Sequence, residues 1–104
     1  NNVGILNIAD IVCIEAFGDG TYVYTKNDVL ICKKTLRQWA SELESQNFFQ
    51  VHKSFIVSLK YIVKIEKGEL QMSYLSSHVP VSRRNRKTLR TVIFEYIKNN
   101  ANII

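Results

Sequence analysis

The chain has 104 residues, of which 46% are hydrophobic and 22% are charged. This length suits one domain and excludes a two-lobed enzyme, and the composition excludes intrinsic disorder. Fourteen Lys and Arg residues against nine Asp and Glu residues leave a net charge of +5, which favours a polyanionic partner such as nucleic acid or an anionic membrane surface.

The first third of the chain predicts antiparallel hairpins. Runs of β-branched and aromatic residues at 11–17, 21–26 and 29–33 are strand candidates. They are separated by the turn signals Gly18-Asp19-Gly20 and Asn27-Asp28, which are typical of tight hairpin connections.

The hydrophobic period then changes to that of a helix. From Thr35 onward, apolar residues occur at Leu36, Trp39, Ala40 and Leu43, which is the stripe of one helical face. We expect this helix to end near residues 45–47 and its tryptophan to belong to the core.

Further strands and a second helix follow. Strand patterns occupy 48–51, 55–58, 61–66, 69–74 and about 78–81. Ser82 is a candidate N-cap for a helix over roughly 84–98. The sequence therefore predicts a mainly β domain with two helices, a compact antiparallel domain over residues 1–104 in the order hairpins, helix, strands and C-terminal helix.

A dense basic cluster begins the predicted C-terminal helix. Five of the eight residues from 83 to 90 are basic and none is acidic. Cations are disfavoured at a helix N-terminus, so an anionic partner would explain the cluster. Arginine can contact phosphate or guanine at two points, and asparagine can contact adenine. A solvated surface face is the alternative. The candidate contact residues are Arg83, Arg84, Asn85, Arg86 and Lys87.

A polar segment also interrupts two very apolar runs. His52, Lys53 and Ser54 lie between FFQ and FIVSL, in a position typical of a loop whose side chains point outward. They could bind phosphate or base edges. The alternative is a hairpin turn whose histidine is hydrogen-bonded to the neighbouring backbone.

The first predicted hairpin gives a weaker signal. The backbone of Gly20, Thr21 and Tyr22 could approach a partner closely, but an ordinary hairpin explains this turn equally well. Asp19 would repel phosphate, and the region 10–28 is acidic, with Lys26 its only basic residue.

Other classes of function find little support. Cys13 and Cys32 lack the paired spacing of a zinc site and are too few for a disulfide scaffold, and no nucleophile elbow or phosphate-binding glycine loop occurs. We expect no enzyme activity, metal or cofactor. No apolar run could span a bilayer and no leader begins the chain, so we expect a cytoplasmic location without membrane contact. The start at Asn1 without Met suggests a module of a longer protein.

Four strings in the chain together resemble a known family. They are DIVCIEAFGDGTYVYT at 10–25, KTLRQWASEL at 34–43, FFQVHKSFIVSLKYI at 48–62 and VPVSRRNRKTL at 79–89. In this order and spacing they are similar to the LytTR family of bacterial DNA-binding domains, and the resemblance covers nearly the whole chain.

The resemblance implies the output domain of a two-component response regulator that controls transcription. Such domains read successive major grooves of imperfect direct repeats through loops between strands and bend the DNA. The resemblance places Lys53, beside His52, and Arg84, with its basic neighbours, at DNA-contacting positions. It also places a third contact around Gly20-Thr21-Tyr22, where the basic or imidazole side chain found in some members is absent. A receiver domain in the same chain and a cognate histidine kinase are the expected partners besides DNA.

A basic β module that binds RNA or a protein remains the alternative. RNA-binding domains of this size commonly stack bases on aromatic side chains of a sheet. Four tyrosines could serve in this way: Tyr22, Tyr24, Tyr61 and Tyr74.

Overall fold

The computed structural model describes residues 6–100, which form two antiparallel sheets and two helices. The first sheet has five strands in the spatial order β3-β2-β1-β5-β4. Its strands are β1 (Ile11–Phe17), β2 (Gly20–Thr25), β3 (Val29–Cys32), β4 (Phe48–His52) and β5 (Phe55–Ser58).

The second sheet is smaller and follows the first in the chain. Its strands are β6 (Ile62–Glu66), β7 (Glu69–Met72) and β8 (Val79–Pro80), paired in that order. Helix α1 (Leu36–Glu42) connects β3 to β4, and helix α2 (Arg86–Asn100) follows β8. None of the helices within residues 6–100 is long and apolar enough to cross a membrane.

Two apolar clusters hold these elements together because side chains alternate across the first sheet. Ile14 and Val23 project to one face, where they pack against Trp39 of α1. Cys13 and Val57 belong to the cluster on the other face. That second cluster includes buried residues of the smaller sheet and of α2: Leu70, Met72, Val79 and Leu89.

The first helix begins where its sequence indicates. The Thr35 hydroxyl accepts a hydrogen bond from the N–H of Gln38, and the Gln38 side chain accepts one from the N–H of Thr35. This capping box satisfies two amides of the first turn. The helix ends at Glu42, a few residues before the predicted end.

The predicted fold class is confirmed, and the differences are local. The Ser82 hydroxyl does not cap the helix; it donates to the carbonyl of Val51 at 3.3 Å instead. The segment Arg83–Asn85 forms a 3-10 turn before α2. The predicted strand 69–74 ends at Met72, and Tyr74 adopts a φ of 71°, which is incompatible with a strand.

Candidate nucleic-acid interface

Two strand-connecting turns lie at the same end of the first sheet. Gly18 and Asp19 connect β1 to β2, and Lys53 and Ser54 connect β4 to β5. The N–H of Ala16 donates to the carbonyl of Ser54 at 2.8 Å, which ties the end of β1 to the second turn. The two hairpins are two strand spacings apart, or about 10 Å.

The basic segment lies beside the edge strand of this sheet. The N–H of Ser82 donates to the carbonyl of Val51 at 2.9 Å, one residue before the end of β4. Because β4 is the edge strand, the residues after Ser82 lie next to the second turn, on the side away from the first turn. Tertiary structure thus brings the three predicted segments to one end of the molecule.

A groove of about 470 Å³ joins two of these segments. One side of the groove is formed by His52 and Lys53, and the other by Arg84 and Asn85. Gln50 and Ser82 complete the lining. Lys53 and Arg84 are 31 residues apart in the chain, yet their side chains line one surface.

The histidine in this groove is held in one orientation. Its Nδ1 accepts a hydrogen bond from the N–H of Ser54 at 3.1 Å, and its ring lies edge-on to Phe55 with centroids 5.8 Å apart. In a neutral imidazole that accepts at Nδ1, the proton is on Nε2. His52 is therefore bonded to the local backbone and still carries a donor on the other ring nitrogen.

Within residues 6–100, no ion pair neutralises Lys53 or the basic cluster at 83–90. The ion pairs there are Lys26–Asp10, Lys34–Glu42, Lys64–Glu66 and His78–Glu69. None includes Lys53 or a residue of the basic cluster. The exposed cationic side chains of the second turn, the basic cluster and the start of α2 are those of Lys53, Arg83, Arg84, Arg86, Lys87 and Arg90. Unpaired exposed charges of one sign attract a polyanion.

Not every predicted residue faces the groove. Ser54, Arg83, Arg86 and Lys87 lie outside its lining. The guanidinium of Arg86 lies against Gly68 in the turn between β6 and β7, where a Cβ on that glycine would be 2.5 Å from a guanidinium nitrogen. Arg86 is therefore turned toward the second sheet.

Thr21 belongs to the predicted third contact, but its side chain is buried and hydrogen-bonded internally. Its side chain is 1% exposed, its hydroxyl donates to the carbonyl of Lys34 at 2.9 Å, and the same oxygen accepts from Nε1 of Trp39 at 2.9 Å. Because both bonds are internal, this hydroxyl is not available to DNA. It links the sheet to α1.

Gly20 also has a structural role in the first hairpin. A Cβ at this position would lie 2.1 Å from the carbonyl oxygen of Cys32, so β2 and β3 could not approach as closely with any other residue. Tyr22, two residues further along β2, is half-buried.

Sequence reasoning missed three residues at this end of the molecule. Gln50 lines the groove two residues before His52 on the same strand. Lys33 is exposed beside Gly20, since its Cα lies 3.1 Å from a Cβ built there. Phe17 is 50% exposed at the end of β1. Strand alternation could have indicated Gln50, whereas Lys33 and Phe17 required the register of the hairpins.

The tyrosines do not form one stacking platform. Tyr22 and Tyr24 lie on β2 with centroids 6.4 Å apart, and Tyr61 and Tyr74 form an edge-on pair elsewhere in the molecule. The Tyr24 hydroxyl donates to Glu15 at 2.6 Å. Burial, followed by this carboxylate bond, raises the pKa of Tyr24 well above its ordinary value.

The cysteines and other potential ligands form no cluster in the part of the chain that the structure describes. Residues 6–100 contain no group of three or more His, Cys, Asp or Glu side chains placed to hold a metal ion. Cys13 and Cys32 are free thiols on β1 and β3, which β2 separates. Burial raises the pKa of the Cys13 thiol from 9.0 to about 12, so it remains protonated.

Comparison with known proteins identifies the family of this fold. The model of the LytTr DNA-binding domain family matches residues 1–94. The chain belongs to the LytTR family. A similar solved structure is the LytTr DNA-binding domain from Bacillus cereus, described as part of a methyl-accepting/DNA response regulator. It aligns with this LytTR domain at a TM-score of 0.73 and 25% identity, over 85% of this chain and 84% of that one.

Two curated relatives are regulators from Paraburkholderia xenovorans. The heme-containing CO-sensing transcriptional regulators RcoM 1 and RcoM 2 are 30% and 28% identical to this LytTR domain over 98 residues. The alignment covers 89% of this chain and 37% of each relative. The chain is thus a DNA-binding domain of the kind found in transcriptional regulators.

Proposed function

We propose that this LytTR domain binds a specific double-stranded DNA site through the loops at one end of its sheets. It contacts successive major grooves on one face of imperfect direct repeats, bends the DNA and controls transcription. The observation that carries the proposal is the groove lined on one side by His52 and Lys53 and on the other by Arg84 and Asn85, with exposed, unpaired cations around it.

The side chains divide into two roles by their chemistry. Arg84 and Asn85 carry the planar donor groups that bind guanine and adenine edges at two points. Lys53, Arg83 and Lys87 neutralise phosphates, which supplies affinity that depends on salt.

His52 adds a further donor. Its Nε2–H is suited to a phosphate oxygen or a base acceptor, and its fixed ring lowers the entropy lost on binding.

The dimensions of the domain support contact with more than one groove. Its longest extent is 47 Å. Successive major grooves on one face of B-DNA are one helical turn apart, about 34 Å. The domain is therefore long enough to face two grooves when its longest axis lies along the DNA.

We further propose that the domain acts in the cytoplasm as the output module of a two-component system. A receiver domain in the same protein and a cognate histidine kinase would supply the signal, in keeping with the response regulator from Bacillus cereus. The test is phosphorylation of the full-length protein by acetyl phosphate. A gain in DNA affinity supports this assignment, and unchanged affinity together with no phosphoryl transfer contradicts it.

DNA binding itself is tested by selecting bound duplexes from a random pool and measuring affinity by fluorescence anisotropy across a salt series. Arg84→Ala should cost about 1–3 kcal/mol and relax selectivity at one base pair. Lys53→Ala should weaken all duplexes nearly equally and lower the salt slope by about 1.

Lys64→Ala is the matched control because Lys64 lies on β6 and pairs with Glu66. If Arg84→Ala keeps the wild-type ratio of affinities for selected and scrambled duplexes, Arg84 does not read bases.

Competition with single-stranded RNA tests the alternative that the domain binds RNA. RNA that displaces the selected duplex at equal concentration would contradict the proposal.

A further inference from the structure

An exposed aromatic stack lies beside the first turn. Phe17 ends β1, is 50% exposed, and stacks on Tyr22 with ring centroids 4.3 Å apart and planes 25° apart. Tyr22 is in turn 6.4 Å from Tyr24, whose hydroxyl is bonded to Glu15. The Phe17 ring is thus supported on one side by a fixed neighbour and open to solvent on the other.

The register places this ring at the end of the sheet that carries the basic groove. Phe17 directly precedes the first turn and is paired with Gly20, which directly follows it. The N–H of the neighbouring residue Ala16 donates to the carbonyl of Ser54 in the second turn. Because Gly20 has no side chain, nothing on β2 covers Phe17 from that position.

The chemistry of the hairpin tip indicates what the ring contacts. Asp19 is exposed at the tip and repels phosphate, and the basic residue beside Gly20, Lys33, lies outside the hairpin, directly after β3. A contact from the tip itself is therefore apolar rather than electrostatic. The apolar group that a base pair presents in the major groove is the 5-methyl group of thymine, and phenylalanine is among the side chains that pack against it.

We propose that Phe17, supported by Tyr22, contacts a thymine methyl group in the major groove and specifies thymine at one position of the DNA site. This inference rests on the proposed function and adds a residue and a base to it. Removing a single buried methyl group should weaken binding about fourfold, as expected from the transfer free energy of one methylene.

The experiment replaces each thymine of the selected duplex, one at a time, with deoxyuridine, which pairs identically but lacks the methyl group. Wild-type protein should lose about fourfold affinity at one position. Phe17→Ala should bind the thymine duplex more weakly and should not distinguish the two bases at that position. Its salt slope should equal that of the wild type, because no charge is removed.

Ile31→Ala is the matched control. Ile31 is paired with Tyr22, lies on the same face of the sheet and is 76% exposed, but it is on the edge strand β3, which β2 separates from Phe17 on β1. This variant should bind like the wild type and keep the preference for thymine. Both variants remove exposed side chains, and thermal unfolding would verify that they are folded.

The possible failures are distinguishable. Wild-type protein that binds both bases equally at every position, or Phe17→Ala that keeps the preference, would overturn the role of Phe17. Equal losses in Phe17→Ala and Ile31→Ala would also overturn it, since the whole face would then act as a docking surface. Wild-type protein that does not prefer the selected duplex over a scrambled one would refute the proposed function instead.

Discussion

Replacing Thr21 with valine tests whether the first hairpin contacts DNA through this hydroxyl or uses it internally. Valine has nearly the same shape, so no cavity is created and the change removes only the hydroxyl. In the wild-type protein that oxygen accepts from Nε1 of Trp39 and donates to the carbonyl of Lys34, both at 2.9 Å. The substitution therefore leaves two polar groups without their partners.

The expected loss follows from the burial of those groups. Trp39 is 4% exposed, so its N–H has no access to water once the hydroxyl is removed. A buried group left unsatisfied costs about 1–3 kcal/mol, and the half-buried carbonyl of Lys34 lies at the lower end of that range. We expect the free energy of unfolding to fall by about 2–4 kcal/mol.

Urea unfolding followed by tryptophan fluorescence is the appropriate assay, because Trp39 is the only tryptophan in the chain and its Nε1–H donates the bond that the substitution removes. Thr21→Ser is the control: it keeps the hydroxyl and loses one methyl group, at a cost of about 1 kcal/mol. DNA affinity, measured at a temperature where all three proteins are folded, should be unchanged. Thr21→Val that is as stable as Thr21→Ser but binds DNA more weakly would refute this reasoning.

Three further outcomes are expected. Gly20→Ala should destabilise the domain by about 1–3 kcal/mol in the same urea assay, because its Cβ would overlap the carbonyl of Cys32, and an unchanged midpoint would contradict this. Lys33→Ala should lower the salt slope of DNA binding by about 1 without changing the preferred sequence; an unchanged slope would exclude a phosphate contact. The raised pKa of Cys13 means that its contribution to stability is complete below pH 9 and is lost as the pH rises from 9.0 toward 12. The unfolding midpoint should therefore fall over this range, less so in Cys13→Ala, and equal falls in both proteins would contradict it.

Local patterns in the sequence predict most elements of this domain because each element is encoded by neighbouring residues. The apolar run at 11–17 and the alternation at 21–26 indicate strands that bury one or both faces, and the stripe from Leu36 to Leu43 indicates a helix that packs on a sheet. Thr35 and Gln38 specify the start of that helix within four residues. Helix α1 ends at Glu42 rather than near residues 45–47, and Ser82 does not cap α2, because its hydroxyl donates to Val51 on the distant strand β4.

The residues of the candidate site can be recognised in the sequence, but their arrangement cannot. The clusters around His52 and Arg84 stand out in the sequence because charge and polarity interrupt apolar runs. Their shared groove does not, because it depends on the hydrogen bonds between Ser82 and Val51 across 31 residues of chain. Threonine is a residue type that can contact DNA, but Thr21 is buried like a core residue. Only its neighbours in three dimensions, such as Trp39, distinguish a DNA contact from an internal hydrogen bond.

The type and order of the elements, the excess of positive charge and the residues that carry it can be read from the sequence, because these properties are local. Which of those residues share a surface depends on tertiary contacts. Strand order brings two turns to one end of the sheet, and the register of β1 with β2 exposes Phe17 while it buries Thr21. Neighbouring residues on a strand face opposite sides of a sheet, so this choice follows from what packs on each side.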